Sequence, residues 1–168
     1  VSESLKAGKT TYSLTKSGDN LLLGVSTEST KARGDLDGNG ISDLLMTITR
    51  PTHPHVGATG AWLIQDNHTA AWGDLSTRNS GWSLFGMGKT AAGKATDDVY
   101  IVSSDNIIGA WVTGNDGKVS GWETVGSFDD KTQILGLGDF NGNGQSDVLL
   151  RNSNGAVGCY FTGGSSAG

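Results

Sequence analysis

Apolar residues along this chain come in short runs separated by Gly, Asn, Asp and Ser. Typical runs are Ile134-Leu135-Gly136-Leu137-Gly138, Asp147-Val148-Leu149-Leu150-Arg151, Gly109-Ala110-Trp111-Val112 and Val119-Ser120-Gly121-Trp122-Glu123-Thr124-Val125. Runs of this length, bounded by turn residues, predict β-strands. No window sustains the 3.6-residue period of an amphipathic helix. The expected class is therefore all-β.

The runs repeat. Asp98-Val99-Tyr100-Ile101 through Gly114 aligns without gaps onto Asp147-Val148-Leu149-Leu150 through Gly163, 49 residues further on. Residues 72–88 align onto 122–138 at a spacing of 50. The predicted unit is about 50 residues and holds four strands, with an acidic loop between the first and second. Three units are expected, near 21–75, 82–125 and 132–163, in a single domain spanning 1–168. The last unit ends before its outer strand. Gly8-Lys9-Thr10-Thr11-Tyr12 is similar to Gly117-Lys118-Val119-Ser120-Gly121-Trp122, so an N-terminal strand over 8–15 is expected to complete that unit. Such strand exchange would remove an exposed sheet edge. Between chains it would produce a homodimer; within one chain it would close a monomer.

Two acidic loops carry the clearest chemistry. Asp35-Leu36-Asp37-Gly38-Asn39-Gly40-Ile41-Ser42-Asp43 and Asp139-Phe140-Asn141-Gly142-Asn143-Gly144-Gln145-Ser146-Asp147 place Asp or Asn at positions 1, 3, 5 and 9 and Gly at 6. Oxygen ligands at this spacing, plus a backbone carbonyl at position 7, suit a hard cation, and Ca²⁺ is the usual occupant. The expected ligands are Asp35, Asp37, Asn39, Ile41 (carbonyl) and Asp43 in one site. The other site takes Asp139, Asn141, Asn143, Gln145 (carbonyl) and Asp147. The alternative for either loop is an Asn-Gly turn without an ion. The middle loop, Lys89 to Asp98, has Lys89, Ala91 and Gly93 at ligand positions. It is expected to be metal-free, with Lys89 or Lys94 supplying the positive charge.

The D-x-D-x-N-G-x-S-D-L-L pattern of Asp35 to Leu45 resembles the FG-GAP/VCBS repeat, and Phe85-Gly86 echoes part of the name. That resemblance implies β-propeller-like blades, two Ca²⁺ ions and a secreted or cell-surface location. It implies no single activity. Propellers usually have at least four blades, so three units leave a β-trefoil-like threefold as the alternative architecture.

Composition narrows the partners. Twelve Lys and Arg against 17 Asp and Glu give a net charge of −5, which argues against nucleic acid. No apolar run is long enough to span a membrane. No leader segment is present, so one is expected outside this chain. The single Cys, Cys159, excludes an intrachain disulfide. No acid/base dyad stands out, and the protein is expected not to be an enzyme. Tyr12, Trp72 and Trp122 recur at one position of the unit, and Trp62, Trp111 and Tyr160 at another. Packing between sheets explains them as a group. Trp82, Trp72 and Trp122 are the candidate sugar-stacking platforms, Trp82 foremost because Thr132 replaces it in the last unit. His53 and His55 lie in an insertion and are expected on an exposed loop. Asn67-His68-Thr69 matches a glycosylation sequon, and residues 164–168 match G-x-S-x-G but are expected to be a tail. The functional expectation is a Ca²⁺-stabilised binding or adhesion module for a carbohydrate or other cell-surface ligand. The alternative is a structural spacer or assembly module.

Overall fold

The computed structural model describes residues 2–7, 10–17, 20–27, 34–65, 70–77 and 81–163. The sequon at 67–69 and the tail at 164–168 lie outside them. Among the described residues all regular elements are strands, as expected, and every pairing is antiparallel. The described residues contain no helix long and apolar enough to cross a membrane, and they form no closed barrel.

The chain divides into two compact units, Val1–Ala32 and Arg33–Gly168. In the first, β1 (Ser2–Ala7), β2 (Thr10–Ser17) and β3 (Asn20–Thr27) form a sheet in the order β1-β2-β3. This corrects the expected strand exchange. Tyr12 pairs with Leu5 on one side and Val25 on the other, so β2 is occupied along both edges within its own sheet. The reason is local. Ala7 pairs with Thr10 and Ser17 with Asn20, so each hairpin closes over two residues. Short loops cost less closure entropy than pairing with a strand far along the chain. Leu22 and Leu23, expected to begin the first repeat unit, instead pair with Thr15 and Leu14.

The larger unit holds three sheets. The first is β4 (Leu44–Thr47), β5 (Ala58–Ile64) and β6 (Ala70–Thr77). The middle one is β7 (Trp82–Gly88), β8 (Asp98–Ser103), β9 (Ile107–Thr113) and β10 (Val119–Ser127), ordered β10-β9-β8-β7. The last is β11 (Thr132–Gly138), β12 (Asp147–Asn152) and β13 (Val157–Tyr160). Among the described residues only the middle sheet has the four strands expected of each unit; the first and last sheets show three each.

Registers correspond between sheets. Trp62 pairs with Trp72 and Trp111 with Trp122, and register shifts fall at Leu84/Gly86 and Ile134/Gly136. The central strands β8 and β9 of the middle sheet are buried on both faces, which explains the nearly unbroken apolar run of β8, Asp98-Val99-Tyr100-Ile101-Val102. Val99, Ile101 and Trp111 join Leu36, Ala61, Leu63 and Leu75 in one core. From the opposite face, Tyr100, Ile108 and Ala110 join Val148 in a second, with Ile134, Leu137 and Leu150 packed against it.

Two indoles depend on glycines across the ladder. An added Cβ would lie 2.1 Å from the Trp122 ring at Gly109 and 2.3 Å from the Trp72 ring at Gly60, whereas nothing lies within 4 Å at Gly158. Gly109→Ala is expected to cost about 1–3 kcal/mol through overpacking. Gly158→Ala should change stability by no more than about 0.5 kcal/mol. Urea unfolding of the two variants checks the contrast.

Candidate metal centre and aromatic cavity

Each sheet of the larger unit places one Asp at the start of its second expected strand, and the three are held alike. Asp43 accepts hydrogen bonds from the Leu36 and Ile64 N–H groups, at 2.6 and 2.8 Å. Asp98 accepts from Thr90 and Thr113 N–H at 3.0 and 2.8 Å. Asp147 accepts from Phe140 and Thr162 N–H at 2.8 and 3.0 Å. In every case one carboxylate ties the start of the preceding loop to the end of the following strand. All three side chains are buried.

The first loop wraps round Asp35, whose carboxylate accepts from Gly38 and Asn39 on Oδ1 and Gly40 on Oδ2. Asp139 accepts from Gly142, Asn143 and Gly144 in the same way. The turn needs left-handed backbone at two places, met by Gly38 and Gly40 (φ 80° and 87°) and by Gly142 and Gly144 (φ 77° and 84°). Asn39 and Asn143 accept from the N–H two residues on, Ile41 and Gln145, and donate through Nδ2 to the carbonyls of Ile64 and Thr162. Asn141 Oδ1 accepts from Asn143 N–H, and Gln145 Nε2 donates to the Thr90 carbonyl.

Carboxylate oxygens of Asp35, Asp37 and Asp43 lie within 4.8 Å of one another, and theirs is the one such group of three found among the described residues. The donor set fits a hard cation. All three ligands are oxygens, and an ionised carboxylate has about four lone-pair sites. Asp35 uses three of them on backbone N–H groups and Asp43 two, leaving capacity for an ion. The last loop has only Asp139 and Asp147 as carboxylates. Burial pushes the Asp43 carboxyl above the usual range. The charges of Asp37 and Asp35 add to this, while the Leu36 and Ile64 N–H groups oppose it. Folding therefore favours the protonated form, and that contribution to stability is lost as pH rises through the raised value. A bound cation would favour the carboxylate instead.

In the middle loop the cation is part of the chain. Lys94 Nζ forms an ion pair with Asp98 Oδ1. Lys89 Nζ lies 3.1 Å from Asp97 Oδ1 and donates to the Ala95 and Thr96 carbonyls at 2.9 and 3.2 Å. Both lysines named from the sequence stand where positive charge is needed. Three participants gave no local signal. Asp97 Oδ2 accepts from the Gly34 and Asp35 N–H groups, Gln65 Nε2 donates to Asp37, and Ser146 Oγ accepts from Lys89 N–H. Each lies far along the chain from its partner. The alignment shows only that Asp97 and Ser146 share one position.

The candidate aromatic platforms separate into two places. Trp72 packs edge-on against Trp62 on the first sheet and donates from Nε1 to Asp74. Trp82 and Trp122 come together on the middle sheet, ring centroids 5.4 Å apart and nearly perpendicular at 87°. With Trp111, Ile101, Ser76 and Thr77 they line a cavity of about 260 Å³. Trp82 is half-buried and packs against the core, so it has a structural part as well. His53 and His55 lie with ring centroids 5.8 Å apart and planes tilted by 52° in the turn before β5, and His53 Nδ1 accepts from the His55 N–H. Cys159 is half-buried, and burial followed by the Asp147 charge pushes its thiol up, away from reactivity. Burial and then Asp98 push the Tyr100 phenol up likewise, and its hydroxyl donates to the Lys89 carbonyl.

Comparison with protein-family models, with curated proteins and with solved structures found no match to this chain.

Proposed function

We propose that this is a non-enzymatic, Ca²⁺-stabilised extracellular binding module built from FG-GAP/VCBS-like units, holding two ions and recognising carbohydrate. One observation carries the metal reading. Of three similarly held, buried carboxylates, Asp98 is neutralised by Lys94. Asp43 and Asp147 have no cationic partner among the described residues. Buried charges are ordinarily paired or bound to metal. Ca²⁺ at Asp35, Asp37, Asn39, Ile41 and Asp43, and at Asp139, Asn141, Asn143, Gln145 and Asp147, would serve both. The family reading rests on the residues of these two loops.

Calorimetry is expected to resolve two unequal sites, the three-carboxylate loop tighter than the two-carboxylate loop. Affinities should be on the order of 10⁻⁴ to 10⁻³ M, as in extracellular modules. At about ten times Kd the ion should add roughly 1.4 kcal/mol of stability. Asp43→Asn should remove the tighter site alone. A melting temperature unmoved by about 10 mM Ca²⁺, a concentration that saturates such sites, would sink the metal reading.

A structural assembly module, forming a homodimer, is favoured by a different observation. Leu44, Trp62 and Trp72 lie in one cross-strand row of the first sheet and remain 60%, 43% and 51% exposed. Such a row suits a protein contact. Light scattering of the wild type and of Trp62→Ser separates the two readings: a dimer that dissociates in the variant favours assembly.

A further inference from the structure

The cavity on the middle sheet has a construction that simple core packing does not require. Trp82 is on β7 and Trp122 on β10, the two edge strands of a four-stranded sheet. Strands three spacings apart are separated by roughly 14 Å, yet the two indoles meet at 5.4 Å. Both therefore lean inward across the sheet face. Trp122 reaches its place because Gly109 has no Cβ in the way. Ile101, Trp111 and the indole pair form the apolar lining, and Ser76 and Thr77 arrive from β6 of the neighbouring sheet.

Four residues of the lining, Trp111, Trp122, Ser76 and Thr77, have uncommitted polar groups among the described residues. Trp111 is only 7% exposed, and a buried indole N–H normally has an acceptor. Among the described residues neither Trp111 nor Trp122 has one, and the Ser76 and Thr77 hydroxyls have no partner either. Among the described residues no charged side chain lines the space. A volume of about 260 Å³ falls just below the ~300–1,000 Å³ range of sites for drug-sized ligands, so it suits one ring rather than an oligomer.

We propose that this cavity binds a single uncharged pyranose ring. The C–H face of the sugar lies on an indole at the perpendicular Trp82–Trp122 corner. Its hydroxyls accept from the Trp111 and Trp122 indole N–H groups and exchange hydrogen bonds with Ser76 and Thr77. Phosphorylated sugars, uronates and sialic acids are disfavoured, because no cation among the described residues lines the cavity to offset desolvation of their charge. The proposal rests on the carbohydrate reading above and adds the site, its polar contacts and the neutrality of the ligand.

Saturation-transfer NMR and calorimetry on the full chain with Ca²⁺ test it, using methyl β-D-galactopyranoside, methyl α-D-mannopyranoside, N-acetylglucosamine and glucuronate as probes. At least one neutral sugar should bind saturably, with one face of its ring receiving most of the saturation, and glucuronate should bind more weakly. Thr77→Val, at an exposed strand end, should weaken binding roughly tenfold, the effect of losing one hydrogen bond. Trp122→Ala should abolish it, and Trp72→Ala should leave it unchanged. Binding lost in Trp72→Ala but kept in Thr77→Val and Trp122→Ala overturns the cavity and leaves the carbohydrate reading standing. Glucuronate binding as tightly as the neutral sugars overturns neutrality. Silence from every probe on the folded wild type overturns both.

Discussion

Lys94→Met is expected to lower the unfolding free energy by about 3–5 kcal/mol, the cost of removing one partner from a buried ion pair. Asp98 is completely buried. Its backbone partners, Thr90 and Thr113, hold the carboxylate in place without neutralising it. With the ammonium gone, the charge stays buried and unpaired. The double variant Lys94→Met/Asp98→Asn should recover most of the loss, since the neutral amide keeps an acceptor for one N–H and removes the unpaired charge. Urea denaturation of the wild type, single and double variants measures both terms. A single variant within about 0.5 kcal/mol of wild type, the range of ordinary surface substitutions, would show that this ammonium does not act as a built-in cation.

Trp111→Ala should cost a comparable amount, about 3–5 kcal/mol, the range for truncating a buried large aromatic. Trp111 packs with Leu36, Ala61, Leu63 and Leu75 of the first sheet and its loop, and with Val99 and Ile101 of its own sheet. Truncation opens a void where two sheets meet, and neither can collapse into it without breaking its ladder. Trp72→Ala should cost much less, because Trp72 is half-exposed and touches solvent on one side. Parallel unfolding curves decide the matter, and equal losses in the two variants would refute this assignment of Trp111 to the core.

Much of the candidate metal centre was legible because its information is local. Asp35, Asp37, Asn39 and Asp43 lie within nine residues, the glycines that let the loop turn lie among them, and the same spacing recurs from Asp139 to Asp147. A loop of this kind folds largely on its own hydrogen bonds, from Asp35 to Gly38, Asn39 and Gly40. The lysines of the middle loop were legible for the same reason. Gln65 and Asp97 were not, since only the folded chain brings them to Asp37 and to Gly34. The aromatic cavity was half legible. Trp82 and Trp122 could be named, but β7 and β10 become edges of one sheet only through the order β10-β9-β8-β7, and no spacing in the chain states that order.

Strand existence and the all-β class follow from the short apolar runs and their turns, because backbone pleat and turn chemistry act over a few residues. Strand partnership does not. Residues 9–14 resemble the outer strand of a repeat unit, but a resemblance carries no information about which edge is nearest. In the folded chain β2 is held between β1 and β3 by two short hairpins, because nearby pairing costs less entropy than distant pairing. Which sheet covers which face of β8, and hence which of Val99 or Tyr100 belongs to which core, was likewise decided only by tertiary packing. Sequence periodicity can mark a strand as buried on both faces. The partner on each face is set by long-range contacts that only the assembled sheets create.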